Sequence, residues 1–278
     1  MVVGTKSLVT SPPLILAVET SSRVGSVALA LGEKMLAESG FSAPLRHSAE
    51  VFPAIRGLLD SAGRRPSQIE HVYVSCGPGS FSGLRIGATI AKIMSLANAT
   101  RIVAVDTLDV VAAKVVDIGG TGSQPICDRQ THAAGCQRVA AVLDAKRGSF
   151  FIAVYERQAM TEDASPETQD PSCKSGVVSP GSGVWRKVLA DSLMTAAEFL
   201  VRFAHEQEPV WLLGDGLVYY RDNFRADGVR FFDQACWSAQ ARNVHALGWR
   251  LALKGEFAEP LALTPNYVRR PDITMKSR

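Results

Sequence analysis

The sequence predicts an α/β fold in two related halves, each with an antiparallel meander and flanking helices. Three observations predict it. Residues 14–41 alternate short apolar, β-branched runs with turn residues. A hairpin with the same order of residue types recurs at 138–157. Between and after these stretches, the apolar positions change from strand-like to helical spacing.

Taken in order, LILAVET (14–20), SVALAL (26–31) and KMLAESGF (34–41) read as a three-stranded meander with turns at SSRVG and GE. A helix over 47–62 follows, with Val51, Ala54, Ile55, Leu58 and Leu59 on one face. Pro53 should kink it or mark a late start, and Gly63 should end it. HVYVSC (71–76) is a strand, 83–98 a helix, RIVAVDT (101–107) a strand and LDVVAAKVV a helix. Residues 117–137 are polar and glycine-rich without a period, as expected of a surface insertion. RVAAVLDAKRGSFFIAVYER (138–157) reads as strand, turn, strand, and 158–176 as a second flexible loop, the insertion extending to about 182. MTAAEFLVRFAHEQ is a helix, PVWLLGDG and VRFFD are strands, and 238–257 is a long helix with Val244, Leu247, Gly248, Leu251 and Ala252 on one face. The expected organisation is a loose N-terminus over 1–13, a first subdomain over 14–110 and a second over 111–278.

The two hairpins repeat one pattern. Each has an apolar strand ending in a carboxylate, Glu19 or Asp144, then a turn with a cation, Arg23 or Lys146–Arg147. Gly25–Ser26 or Gly148–Ser149 then opens the second strand.

Hydrophobic residues make up 46% and charged residues 21% of the 278, and the net charge of +3 forces neither nucleic acid nor membrane as a partner. The five cysteines include no CxxC, so reduced thiols in a cytoplasmic protein are expected rather than a zinc site or disulfide framework. No run has the length of a signal peptide or a membrane span.

GPGSFSGLRIG (77–87) joins a strand to a helix. It lacks the lysine of a P-loop. Gly77 and Gly79 flank Pro78 in a sharp reversal, Ser80 or Ser82 can cap the helix, and Gly83 and Gly87 lie one turn apart. Small residues at that spacing let another backbone come close, so the motif reads as a packing device, against the protein's own sheet or a partner's helix, more than as an anion site at the helix N-terminus. The helix it opens carries Leu84, Ile86, Ile90, Ile93, Met94, Leu96 and Ala97 around more than one stripe, and needs cover on two sides.

The series AVETSSRVGSVAL, GPGSFSGLRIG and AVLDAKRGSFFIAVY, in this order, resembles the bacterial TsaB (YeaZ) family of tRNA threonylcarbamoyladenosine biosynthesis. The diagnostic part is Gly77, Pro78, Gly79, Ser80, Phe81, Gly83, Arg85 and Gly87. The resemblance implies an actin-like ATPase (ASKHA, RNase H-like) fold. It implies a non-catalytic subunit that pairs with TsaD, the transferase that modifies the adenosine beside the anticodon of tRNAs reading ANN codons. TsaE joins them, and tRNA is reached through the complex. The partner-facing residues would be Val51, Ile55, Leu58, Ile86, Ile90 and Ile93, with Arg85 and Lys92 at the rim. A homodimer through the same surface would substitute when the partner is missing.

In this superfold the hairpins wrap phosphates. Here Glu19, Thr20, Ser21, Ser22, Asp144 and Gly214 would line a vestigial nucleotide cleft, with ATP or ADP bound only in the complex and no tightly held cofactor. The family usually has Asp where Glu19 stands, and the extra methylene weakens a metal role. No HxxxH, HExxH or GxSxG occurs, so no catalytic residue and no metal ligand is assigned. His47 and Glu50 read as an exposed pair at a helix start. Two alternatives stay open: a stand-alone small-molecule kinase of this superfold, with Asp106, Asp144 or Asp215 as base, and an unrelated α/β binding module.

Overall fold

The computed structural model describes residues 11–44, 46–116, 135–158 and 184–268. Most of the expected insertions at 117–137 and 158–182 and most of the N-terminal stretch fall outside them.

Two five-stranded sheets share one topology. In the first, β1 (Leu14–Glu19), β2 (Ser26–Leu31) and β3 (Lys34–Gly40) form the predicted meander, and β4 (His71–Ser75) and β5 (Arg101–Val105) add in parallel on the other side, in the order β3-β2-β1-β4-β5. In the second, β6 (Arg138–Asp144), β7 (Ser149–Gln158) and β8 (Val184–Thr195) form the meander, and β9 (Val210–Leu213) and β10 (Val229–Phe231) extend it, in the order β10-β9-β6-β7-β8. Read from the meander edge, the two orders are the same. The repeat legible in the hairpins therefore extends over both sheets.

Every β1 residue is buried, as expected of a strand covered on both faces. On one face Leu14, Leu16, Val18, Val27, Leu29, Val72 and Val74 join the core under α1 (His47–Ser61) and α2 (Phe81–Asn98). On the other, Ile15, Ala17, Ala28, Ala30, Tyr73 and Val103 belong to the larger core shared with the second sheet. Between the sheets lie α3 (Thr107–Ala112), packed on β6, and α6 (Ala241–Leu253), packed on β1, β2, β4 and β5. Among the described residues the remaining α-helices are α4 (Ala196–Phe203), opened by a capping box of Thr195 and Glu198, and the single turn α5 (Leu217–Tyr220).

The end of the chain returns to the first half, although sequence placed it in the second. The Ala241 N–H donates to Ser26 Oγ at 2.8 Å, and His245 Nε2 donates to Gly32 O at 2.9 Å. Burial lowers the His245 pKa, and because a carbonyl oxygen only accepts, Nε2 carries the proton of this bond. Beyond α6, Ala258 N–H donates to Ile102 O, Leu263 is buried, and Asn266 N–H donates to Cys76 O.

β8 was not foreseen. Its buried positions alternate as a strand requires, Trp185 and Leu189 among them, but Lys187 and Asp191 share that inward side and blur the apolar period. Those charges join the halves. Lys187 Nζ lies 3.2 Å from Asp106 Oδ2, 2.8 Å from Asp109 Oδ1 and 2.8 Å from Asp191 Oδ1. Tyr155 donates to Asp109 at 2.6 Å, and Asp106 Oδ1 caps α3. Three carboxylates face one ammonium. Burial, a hydrogen bond with Asp191 and the charge of Asp109 push the Asp106 carboxyl up to about 8. Asp106 therefore holds a proton at neutral pH.

Cys76 and Cys136 are free, with burial pushing both thiols up to about 12, so neither is reactive. Cys236 is disulfide-bonded, a correction to the expectation of reduced thiols that no CxxC spacing announced.

Candidate functional site

The two hairpin turns face each other across a cleft of about 560 Å³. Its walls are Ser21–Arg23 of the first turn, Gly79–Ser82 at the start of α2, Asp144–Arg147 of the second turn, Asp215, and Asn266–Tyr267 near the chain's end.

The first turn is closed on itself. Glu19 is fully buried, and its Oε1 accepts from the Ser21 N–H at 2.7 Å, the Ser21 hydroxyl at 2.5 Å and the Ser22 N–H at 3.3 Å. Thr20 donates its hydroxyl to Gly83 O at 2.8 Å. The expected phosphate donors Thr20 and Ser21 are thus engaged within the protein, while Ser21 and Ser22 line the cleft. The strand-end carboxylate holds its own turn.

The glycine motif seals that turn from behind. A Cβ on Gly83 would stand 1.8 Å from Thr20 O, one on Gly79 2.6 Å from Ser21 O, and one on Gly87 2.8 Å from Val74 Cγ2. Ser80 donates its N–H to Ser21 O at 2.7 Å and accepts from the Gly83 N–H at 3.4 Å, capping α2. Of the two surfaces considered for the motif, it lies against the protein's own hairpin. His47 is buried, not exposed, and its Nε2 lies 2.7 Å from Ser22 O. Glu50 bonds instead to Ser42, both N–H and hydroxyl at 2.6 Å.

The candidate bases are likewise held. Asp144 accepts from the Lys146 N–H at 2.7 Å and from Lys146 Nζ at 2.5 Å. Asp215 accepts from the Arg23 N–H at 3.1 Å, and burial pushes its carboxyl up to about 6 against that bond, with Asp144 and Glu19 adding to the rise. Gly214, expected in the cleft, passes so close to β6 that a Cβ would meet Val142 O at 2.1 Å. Among the described residues no group of three or more His, Cys, Asp or Glu side chains could hold a metal ion.

The second surface is the outer side of α1 and α2. Sequence placed Val51, Leu58 and Ile90 on the partner face, and the structure turns all three into the core at 0%, 7% and 4% exposure. The stripe that looked unpartnered is the one that meets the sheet. Ile55 and Ile86 are half-buried and packed against that core, and Arg85 is exposed. Ile93 is 54% exposed. Two residues absent from the expectation stand out beside it: Phe52 at 61% and Leu96 at 77%. Phe52 sits next to Pro53 and off the i, i+3, i+4 stripe, and that offset was the available signal. Arg85 and Lys92, the expected rim, contact the chain's own end through Tyr267 OH at 3.4 Å and Leu261 O at 3.5 Å.

The fold and the site define a two-lobed α/β protein of the actin-like ATPase class, whose hairpins face one cleft. A family model described as "TsaD: tRNA N6-adenosine threonylcarbamoyltransferase" matches residues 42–244, and within that family the chain belongs to the TsaB (YeaZ) group. It is 24% identical over 200 residues to the tRNA threonylcarbamoyladenosine biosynthesis protein TsaB of Bacillus subtilis, covering 72% of this chain and 70% of that one. It is 29% identical over 143 residues to TsaB of Escherichia coli, covering 51% of this chain and 55% of that one. The chain thus spans little more than half the length of the latter relative. YeaZ from Pseudomonas aeruginosa has the same fold, with a TM-score of 0.65 at 22% identity over 92% of this chain and 99% of that chain. No helix among the described residues is long and apolar enough to cross a membrane.

Proposed function

We propose that this chain is a non-catalytic subunit in tRNA threonylcarbamoyladenosine biosynthesis, binding and activating TsaD through the outer side of α1 and α2. The observation that carries the reading is the exposure of Phe52, Ile93 and Leu96 on two neighbouring helices of the first half. Large apolar side chains left in water on adjacent helices mark an interaction surface. The closed first turn supports the rest: Glu19 is fully buried beneath its own turn, with Oε1 accepting from Ser21 and Ser22. In this reading the activity belongs to the partner, TsaE joins the pair, tRNA arrives with the complex, and nucleotide binds only there. A homodimer uses the same surface when TsaD is absent.

The test is capture of TsaD by the Ile93→Asp, Leu96→Asp double variant. Both positions are exposed, so the fold should keep its circular dichroism and melting temperature while capture falls at least tenfold. Undiminished capture by the folded variant rejects the assignment. Ile90→Asp cannot serve, because Ile90 is buried.

A further inference from the structure

Beyond α6 the chain returns to the first half and lies along α2 as a strap. Ala258 N–H donates to Ile102 O at 2.8 Å, at the start of β5 and so beside the C-terminal end of α2. Further along, Lys92 Nζ donates to Leu261 O at 3.5 Å. At the far end Asn266 N–H donates to Cys76 O at 2.6 Å, while Tyr267 packs on Phe81 at 5.3 Å and accepts from Arg85 Nε at 3.4 Å. These contacts run from the last turn of α2 to its first, so the strap is antiparallel to the helix. Arg85 and Lys92, two helical turns apart, share one flank of α2. The strap takes that flank, where the sequence reading had placed a charged rim.

One side chain of the strap points the wrong way for the fold's own stability. Leu263 N–H donates to Glu259 O at 3.0 Å, which closes a turn over 259–263. Leu263 plugs into the core beneath α1 and α2. Leu261, at the middle of the same turn, is 78% exposed. Turn positions facing water favour polar residues and glycine, yet this one carries a leucine. The contact it makes with α2 is through its carbonyl, and its side chain stays in water. The turn is pinned on both sides, and Pro260 and Pro265 restrict the chain around it. The side chain is therefore held in place before any partner arrives, which lowers the entropic cost of binding.

Leu261 stands beside the surface already described. Ile93 directly follows Lys92, and Leu96 lies one turn further along the helix, both exposed. A lone exposed leucine needs no explanation, but one that extends a row of exposed apolar side chains enlarges an interaction surface. We propose that the strap is the third segment of the TsaD-docking surface, with Leu261 meeting an apolar face of TsaD alongside Ile93 and Leu96. TsaD is the occupant because the strap continues the α1–α2 surface, and to that extent the inference rests on the proposed function. It adds a contact from the end of the chain to a surface otherwise built from the first half.

The test is the affinity of the full chain for purified TsaD, measured by biolayer interferometry on wild type, Leu261→Asp, Leu261→Ala and Val201→Asp. Val201, exposed on α4 in the second half, is the control for a charge placed at an exposed apolar position. Both positions are exposed, so every variant should keep the wild-type melting temperature. Leu261→Asp should weaken binding about tenfold and Leu261→Ala a few-fold, mainly through faster dissociation, while Val201→Asp binds as wild type does. Undiminished binding by Leu261→Asp, where Ile93→Asp with Leu96→Asp loses it, overturns this inference and leaves the proposed function standing. Undiminished binding by both sets overturns the proposed function and this inference with it. A drop of equal size for Val201→Asp would show that added charge alone weakens the pair, and the assignment of Leu261 fails. Sedimentation of the chain by itself tests the other occupant. If Leu261→Asp disperses a homodimer and leaves TsaD binding intact, the strap meets a second copy of this chain and the proposal is wrong.

Discussion

The two halves build the same turn and use it differently. β1 ends in Glu19 and β6 in Asp144, and each carboxylate accepts the N–H of the residue two positions on, at 2.7 Å in both. β4 and β9 add in parallel to those strands, and each leads into a glycine at matching φ, Gly77 at 111° and Gly214 at 122°. A second glycine follows two residues on in each, Gly79 and Gly216, close to the hairpin beside it. Beyond that point the halves diverge. The first continues into the 18 residues of α2, which seals its turn, while the second has only the four residues of α5. Glu19 is buried in consequence, and the tip of the second turn is exposed. A duplicated scaffold has become helix-covered on one side and open on the other.

The largest effects belong to the sealed half. Ile90→Asp places a charge in the core beneath α2 and should cost at least about 4 kcal/mol, enough to remove the cooperative melting transition. Ile93→Asp, three residues on but exposed, should stay within about 0.5 kcal/mol of wild type. Next comes Gly83→Ala. Its Cβ would overlap the backbone oxygen of Thr20, which has no room to retreat, and roughly 3 kcal/mol or a melting temperature lower by about 10 °C is expected. Gly148→Ala, at the open turn, meets no atom and should cost only the backbone term, about 1 kcal/mol. Equal losses at Gly83 and Gly148 would erase the distinction between the turns.

The contrast between the halves is unevenly written in the sequence. The hairpin repeat was readable because carboxylate, cation and Gly-Ser recur in order, and the glycine motif because its spacing demands close packing. Helix faces were harder. Helical periodicity finds the apolar stripe, but the stripe is the core side, so Val51, Leu58 and Ile90 were assigned to a partner. Phe52 and Leu96 are the apolar residues left exposed instead. β8 stayed hidden because two inward positions are charged, and only tertiary structure supplies Asp106 and Asp109 as their partners. The cation–aromatic pairs at the cleft were invisible for the same reason: Arg23 and Tyr219 are 196 positions apart.

The joint between the halves predicts a pH dependence. Asp106 titrates near 8 in the fold and near 3.8 in the unfolded chain. The folded state therefore binds the extra proton between those values. This carboxyl's contribution is fully present below about pH 4 and is lost as pH rises to about 8, by up to about 1.4 kcal/mol per pH unit. Asp109 and Asp191 face it as like charges, Lys187 opposes them, and Tyr155 donates to Asp109. Asp191→Asn removes one of the like charges and supplies an amide donor. Measured by urea denaturation, wild-type stability relative to this variant should fall steadily from pH 5 to 8. A constant difference would show that the Asp106–Asp191 pair holds no proton.

The smallest expected effect tests whether the cleft is held shut at its mouth. Arg23 reaches across the halves by two contacts, its N–H to Asp215 and its guanidinium to the Tyr219 hydroxyl at 3.0 Å. The hydroxyl contact is exposed, and water replaces it when it is lost, so Tyr219→Phe should cost only a few tenths of a kcal/mol. The ring remains beneath the guanidinium, and that interaction survives the change. By contrast, the Lys187 cluster and the seam between α3 and α6 are buried enough to fix the relative placement of the halves without this bond. A loss above about 1 kcal/mol would mean that the exposed contact also fixes the cleft's width, and that the second half is less rigidly joined to the first than its ionic cluster implies.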